Sequence, residues 1–293
     1  MRRNALRWLV GSVRNKLLAM ALLPLLVVFP LLVLAIAVWS SVTYDRLLIT
    51  KVRSDLAVAR GYFDQTLAEV GSGTRGVARS HRLLKAMEDG GDPDALLAVD
   101  REELGLDFLL LYRHHAPSTR LPASVAPLLN TSTPAPIQPR AAQIVRLSRD
   151  ELATLAPSLL PRLHIPLVDT RNAAPDARTV EDRALVLLSL QPVQDADGRA
   201  QALLIGGLLL NQNLDFIDHI NRIVYPDGAL PFGSEGTATL FLDDVRITTN
   251  VRLFQDRRAI GTRVSQTVRE RVLDQGQTWL DRAFVVNDWY VSA

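Results

Sequence analysis

Residues Leu17 to Trp39 carry no charged side chain over 23 positions. As a helix at about 1.5 Å per residue, this stretch is about 35 Å long, enough for a tilted crossing of a bilayer core near 30 Å. Pro24 and Pro30 lie inside it, and transmembrane helices tolerate proline. Trp39 and Tyr44 fall where an aromatic belt would lie. Arg2, Arg3, Arg7, Arg14 and Lys16 precede the span with no acid among them, which predicts a cytoplasmic N-terminus. Everything after about residue 41 is then extracytoplasmic, that is, periplasmic in a bacterium whose inner membrane holds the span. Ala35-Ile36-Ala37 fits a signal-peptide cleavage pattern. The apolar run exceeds the roughly 7–15 residues of a signal core, which favours a retained helix.

The formal net charge is +2, and without the five N-terminal basic residues the remainder stands at −3. The basic balance belongs to a tail at residues 1–16. A nucleic-acid surface would need a basic patch on the folded body, so no nucleic-acid partner is expected. With no cysteine, disulfides and thiolate metal sites are excluded.

A long helical stretch follows the span, about Val42 to Met87. Its apolar positions are Leu48, Val52, Leu56, Ala59, Phe63, Leu67 and Val70, spaced 4, 4, 3, 4, 4, 3. This 11-residue repeat gives a nearly straight helix with one apolar stripe. The stripe would pack on its own domain or on a twin helix in a dimer. Gly71-Ser72-Gly73 predicts a kink or break just after it.

The remainder reads as a mixture of helices and strands. Leu104 to Tyr112 reads as a buried strand, 116–140 as a loop rich in Pro, Ser and Thr, and Arg149 to Leu155 as a short helix capped by Ser148. Residues 170–182 read as a polar loop. "RALVLLSLQPVQDADGRAQALLIGGLLLN" gives two strands, about 183–192 and 200–210, joined through Asp197-Gly198. Asn213 caps a helix from about Leu214 to Val224, and Tyr225-Pro226-Asp227-Gly228 is a turn. Then come strands at Thr237–Leu242 and Val245–Arg252 around an Asp243-Asp244 turn, and a helix at about Val264–Leu273 ended by Gly276. A final hairpin turns at Asn287-Asp288.

"PVQDADGRAQALLIGGLLL", "GSEGTATLFLDDVRITTNVR", "AIGTRVSQTVRERVL" and "GQTWLDRAFVVNDWYVSA" carry a resemblance. Together with the membrane helix and long helix, they make residues 42–293 similar to the double Cache extracytoplasmic sensor domain of bacterial sensor histidine kinases. The resemblance implies an α+β fold: transmembrane helix, long helix, then two PAS-like units with curved antiparallel sheets, the second incomplete. The expected domains are a basic tail 1–16, a span 17–39, a long helix 42–90, a membrane-distal unit 91–225 and a membrane-proximal unit 226–293. The resemblance further implies a last strand, a second membrane helix and a cytoplasmic kinase beyond Ala293, making this the N-terminal portion of a receptor, and homodimerisation.

No constellation for catalysis stands out: there is no G-x-S-x-G elbow and no phosphate loop. His114-His115 point to opposite sides of an extended chain and suit no metal. Neither metal nor cofactor is expected. A ligand site that could hold a small carboxylate is read on Arg246, Asn250 and Arg282, because guanidinium groups bind carboxylates bidentately. The alternative there is a solvated sheet face. Tyr112, Arg183 and Gln191 are the corresponding candidates in the distal unit. The amino-acid-binding motif of some double Cache domains is not visible. The function expected is that of a small-molecule sensing input module for a histidine kinase. The alternatives are an input module for a chemoreceptor or cyclic-dinucleotide enzyme, and a membrane-anchored structural or assembly protein.

Overall fold

The computed structural model describes residues 13–113, 121–125, 142–195, 197–230, 235–253, 257–286 and 288–293. The first twelve residues of the basic tail, His114-His115, most of the 116–140 loop and Asn287 lie outside them. Two compact units are present, Met1–Arg53 and Ser54–Ala293. In the first, helix α1 (Val13–Ala78) begins, and its Met20–Ser40 segment is long and apolar enough to cross a membrane, with none of it buried in protein. The side chains Leu25, Leu26, Phe29, Leu32 and Trp39 are all exposed, as a lipid-facing helix requires.

In the second unit the predicted stripe enters a core. Ala59, Phe63, Leu67 and Val70 pack into one apolar cluster, and the stripe continues through Thr74, Val77 and Ala78. The expected kink at Gly71-Ser72-Gly73 does not occur, because α1 runs unbroken to Ala78. Packing overrides the weak glycine propensity. A Cβ on Gly73 would sit 2.7 Å from Leu104 Cδ2, so glycine lets a neighbouring side chain close onto the helix. The break comes at Arg79-Ser80 instead, where Ser80 accepts from Leu83 N and starts α2 (His81–Glu88). Asp92 caps α3 (Pro93–Glu103), with proline in its first turn. Leu104 to Asp107 are therefore not strand. They close α3, with Gly105 at φ 62° and Leu106 N donating to Arg101 O, a Schellman-type ending.

Strands β1 (Phe108–Tyr112), β2 (Gln143–Leu147), β5 (Ala184–Gln194) and β6 (Ala200–Leu209) form one antiparallel sheet in the order β1-β6-β5-β2. Between β2 and β5 come α4 (Arg149–Leu155), a 3-10 helix (Pro157–Leu163) and the short pair β3 (Ile165–Pro166) and β4 (Val180–Glu181). The Ser148 cap of α4 is a full capping box with Glu151. The sheet is apolar on both faces. Leu187, Val193 and Leu204 face the α1 side. Val186, Leu188 and Ile205 face Leu152, Leu155 and Leu163. Both faces are covered, so β5 reads as a nearly continuous apolar run.

Helix α5 (Leu214–Val224) starts at the Asn213 cap, whose side chain accepts from Phe216 N. Strands β7 (Thr239–Leu242) and β8 (Val245–Thr249) pair around Asp243-Asp244, with Asp243 at φ 53°. The expected helix at 264–273 divides into α6 (Gln266–Arg269) and one π turn, Glu270–Asp274. β9 (Asp281–Val285) and β10 (Asp288–Ser292) pair with Val285 opposite Asp288. The turn thus lies one residue earlier than its Asx-Asx chemistry predicts, and Val286 takes φ 60°, an uncommon conformation for a β-branched residue. Register outweighs turn preference: a one-residue slip would move the buried Ala283 to the other face.

Candidate functional site

Strand β8 was open to two readings, binding face or wet face; all five of its residues are buried. Val245 and Ile247 are wholly inaccessible, while Arg246, on the alternate face, is 4% exposed. On one side β8 pairs with β7. On the other, the 259–263 segment lies along it, with Arg246 N donating to Thr262 O and Gly261 N donating to Arg246 O, both at 2.9 Å.

The Arg246 guanidinium is held from two directions. Nη1 donates to Thr262 Oγ1, and the Phe241 ring lies 5.2 Å from the guanidinium carbon, a cation–π contact. Nε is buried with no hydrogen-bond partner among the described residues. Burial lowers the Arg246 pKa to about 10, with Tyr290 of β10 the group that opposes the shift. At neutral pH the side chain is still a cation. Among the described residues no carboxylate pairs with it, and a buried cation left so is costly.

Helix α5 stands between β8 and α1. Arg258 grips Asp218 of α5 with two bonds of 2.6 Å and also donates to Thr249 O at 3.0 Å. Thr248 Oγ1 donates to Asn213 O, and Gln212 N to Ile247 O. On the other side of α5, Phe216 meets Tyr62 and Phe63 at 5.8 and 6.0 Å between ring centroids. His219 lies 5.0 Å from Tyr62. Tyr225, the C-cap of α5, is pushed up to about 12 by burial and by its hydrogen bond to the Asp55 carboxylate.

A second polar site surrounds the Asp243-Asp244 turn, at a cavity of about 1000 Å³. Arg263 binds Asp244 at 2.6 Å, Arg178 binds Asp176 and Glu181 at 2.7 and 2.8 Å, and Arg183 binds Glu181 and Asp243 at 2.6 and 2.9 Å. Each of these arginines already holds a carboxylate. The network joins the 170–183 loop to the β7–β8 turn, with Arg263 Nη1 also donating to Ala174 O at 2.7 Å. Among the described residues no group of three or more His, Asp or Glu is placed to hold a metal.

The residues read from sequence therefore divide. Arg246 stands in the buried position just described. Asn250 is engaged by backbone, accepting from Ala238 N at 2.6 Å and donating to Gly236 O. Arg282 is exposed on β9 and alternates with Ala283, which is opposite Tyr290, so it points away from the Tyr290 face. Arg183 belongs to the ion-pair network. Tyr112 packs with the cluster on the α4 face of the sheet. Gln191, buried, donates to Ser189 Oγ at 3.1 Å and shares strand parity with Leu187 and Val193 on the α1 face. The sheet thus separates Tyr112 from Gln191. Thr262, Phe241 and Tyr290, which surround Arg246, carry no local sequence signal beyond the strand alternation that places Tyr290 beside Ala283.

Residues 208–293, from the end of β6 through α5 to β10, match the family model described as single Cache domain 3. Among curated proteins, none matches the sequence. Two crystal structures of the periplasmic domain of Vibrio cholerae LuxQ resemble the fold. One is 14% identical over 70% of this chain and 83% of the LuxQ domain, with a TM-score of 0.40. The other is 12% identical over 71% and 82%, with a TM-score of 0.42. The matched residues hold the buried Arg246 strand and the α5 helix that joins it to α1, and over them the chain is similar to a Cache extracytoplasmic sensor domain.

Proposed function

We propose that the chain is the small-molecule sensing input module of an inner-membrane receptor, with its N-terminus cytoplasmic and the residues after about 41 in the periplasm. Binding on the β8 strand would shift α5 and, through it, α1. The output domain that best suits this arrangement is a histidine kinase, acting as a homodimer. The observation that carries the reading is the double attachment of α5: Arg258 bridges its Asp218 to Thr249 O of β8, and Phe216 makes aromatic contacts to α1. A small helix shift is a common signalling output, and a ligand produces it only if it binds the two states differently. The basic residues before the span support the orientation.

The test has two parts. A reporter active only after export, fused at Asp55, should be active; activity of a cytoplasmic reporter there would overturn the orientation. On the full chain in lipid nanodiscs, small carboxylates and amines are screened by thermal shift, and each hit is followed by hydrogen exchange. A true ligand should change exchange in β8 and also in α1 residues 56–67. A hit that protects β8 and leaves α1 unchanged would sink the transmission route.

A further inference from the structure

The unsatisfied edge of Arg246 carries more chemical information than its charge alone. Thr262 Oγ1 donates its own proton to Ala259 O at 2.7 Å, so its lone pair faces Arg246 Nη1 in a fixed direction. Phe241 covers one face of the guanidinium plane, and paired backbone on either side of β8 fixes the stem. What is left is the Nε edge, where Nε–H and one Nη2–H run parallel. Two parallel donors match the two oxygens of a carboxylate.

The charge count narrows the class further. Among the described residues no Asp or Glu pairs with Arg246, and Asp244, two residues away, is held by Arg263 and Arg178. One buried positive charge is balanced by one negative charge. A dianion would leave an uncompensated charge behind, and an amino acid would bring an ammonium group with no free carboxylate to receive it. Tyr290, the group whose electrostatic influence reaches Arg246, lies on the β9–β10 pair, a two-stranded sheet separate from β7–β8.

We propose that the Nε/Nη2 edge of Arg246 is a side-on carboxylate clamp, that Thr262 is the positioning residue that presents it, and that its ligand is a small monocarboxylate without an ammonium group. The proposal rests on the sensor reading above and specifies its ligand class. Sodium acetate, zwitterionic glycine and sodium sulfate, buffered at neutral pH and compared with sodium chloride at matched ionic strength, are titrated into the full chain in nanodiscs by calorimetry and thermal unfolding. Acetate should bind saturably, and glycine and sulfate about tenfold or more weakly, the equivalent of one charge-assisted hydrogen bond. Arg246→Met should abolish acetate binding while the protein still unfolds cooperatively. Arg246→Lys, which keeps the charge without the fork, should bind acetate and sulfate alike and weakly. Thr262→Val should lower acetate affinity about tenfold and narrow its preference over sulfate. Equal binding of all three compounds, persistence of acetate binding in Arg246→Met, or no acetate binding by the wild type would each overturn the proposal. A ligand of another class that binds independently of Arg246 yet alters α1 exchange would overturn it too, while sustaining the sensor reading.

Discussion

Replacing Asp244 with alanine should destabilise the Ser54–Ala293 unit by about 3 kcal/mol or slightly more, the cost of stranding a buried cation. Asp244 is 2% exposed. It takes two bonds from Arg263, at 3.0 and 2.6 Å, and a longer one from Arg178. Arg263 would keep Asp176 at 3.4 Å and the Ala174 carbonyl, which holds the loss toward the lower end of the range. For a unit of this size the melting midpoint should fall by roughly 6–12 °C. Asp182→Ala is the control, an exposed acid beside the same cavity, expected within about 0.5 kcal/mol of wild type. If both variants melt alike, the network contributes nothing specific. Protonation should act in the same direction. The Asp176 carboxyl is lowered to about 2, chiefly by its hydrogen bonds from Arg178. Burial pushes Glu181 up, but hydrogen bonds from Arg183 outweigh it and leave it lowered. Both folded values lie below the unfolded ones near 4, so the unfolded chain binds protons first as pH falls. The stabilisation is complete above about pH 5 and is lost as pH drops toward 2.

What could be read in advance follows the range of the interactions. The Asn213 and Ser148 caps and the Asp197-Gly198 turn are local chemistry, and α5, α4 and the β5–β6 hairpin stand where those residues put them. The stripe through Ala59, Phe63, Leu67 and Val70 is a periodic signal, and it is the face that α1 buries. The straight run through Gly71-Ser72-Gly73 was not legible, because Leu104, which closes onto Gly73, lies 31 positions away. Strand β2 was missed because five residues at a sheet edge carry too little alternation to separate from loop. The site divides in the same way. Arg246 was legible as a cation on a strand. Its burial was not, because it depends on the 259–263 segment and on β10. Asn250 and Arg282 were grouped with it by strand alternation alone, which assigns a face and not a partner. Asn250 spends its amide on Ala238 and Gly236.

Gly206 gives the sharpest test of how α1 is seated. It occupies the middle of β6, between Leu109 of β1 and Ser189 of β5, directly beneath the helix. A Cβ there would lie 2.4 Å from Thr74 Oγ1, 3.2 Å from Thr74 Cγ2 and 3.3 Å from Leu106 Cδ1. Thr74 is wholly buried, and its hydroxyl donates to Val70 O at 2.7 Å. Rotating it out of the way would break that bond inside the core. Gly206→Ala should therefore cost about 1–3 kcal/mol by overpacking, and Gly206→Val more, with faster amide exchange along α1 around Thr74. Thr74→Ala removes the two atoms that collide, at a cost of its own of about 1 kcal/mol for the lost hydrogen bond and packing. The double variant should then be more stable than the sum of the single changes predicts, by about 1 kcal/mol or more, as contacting residues usually show. Chemical denaturation of the four proteins measures this coupling directly. Strict additivity would mean that Thr74 does not bear on Gly206 and that α1 is seated on the sheet by other contacts.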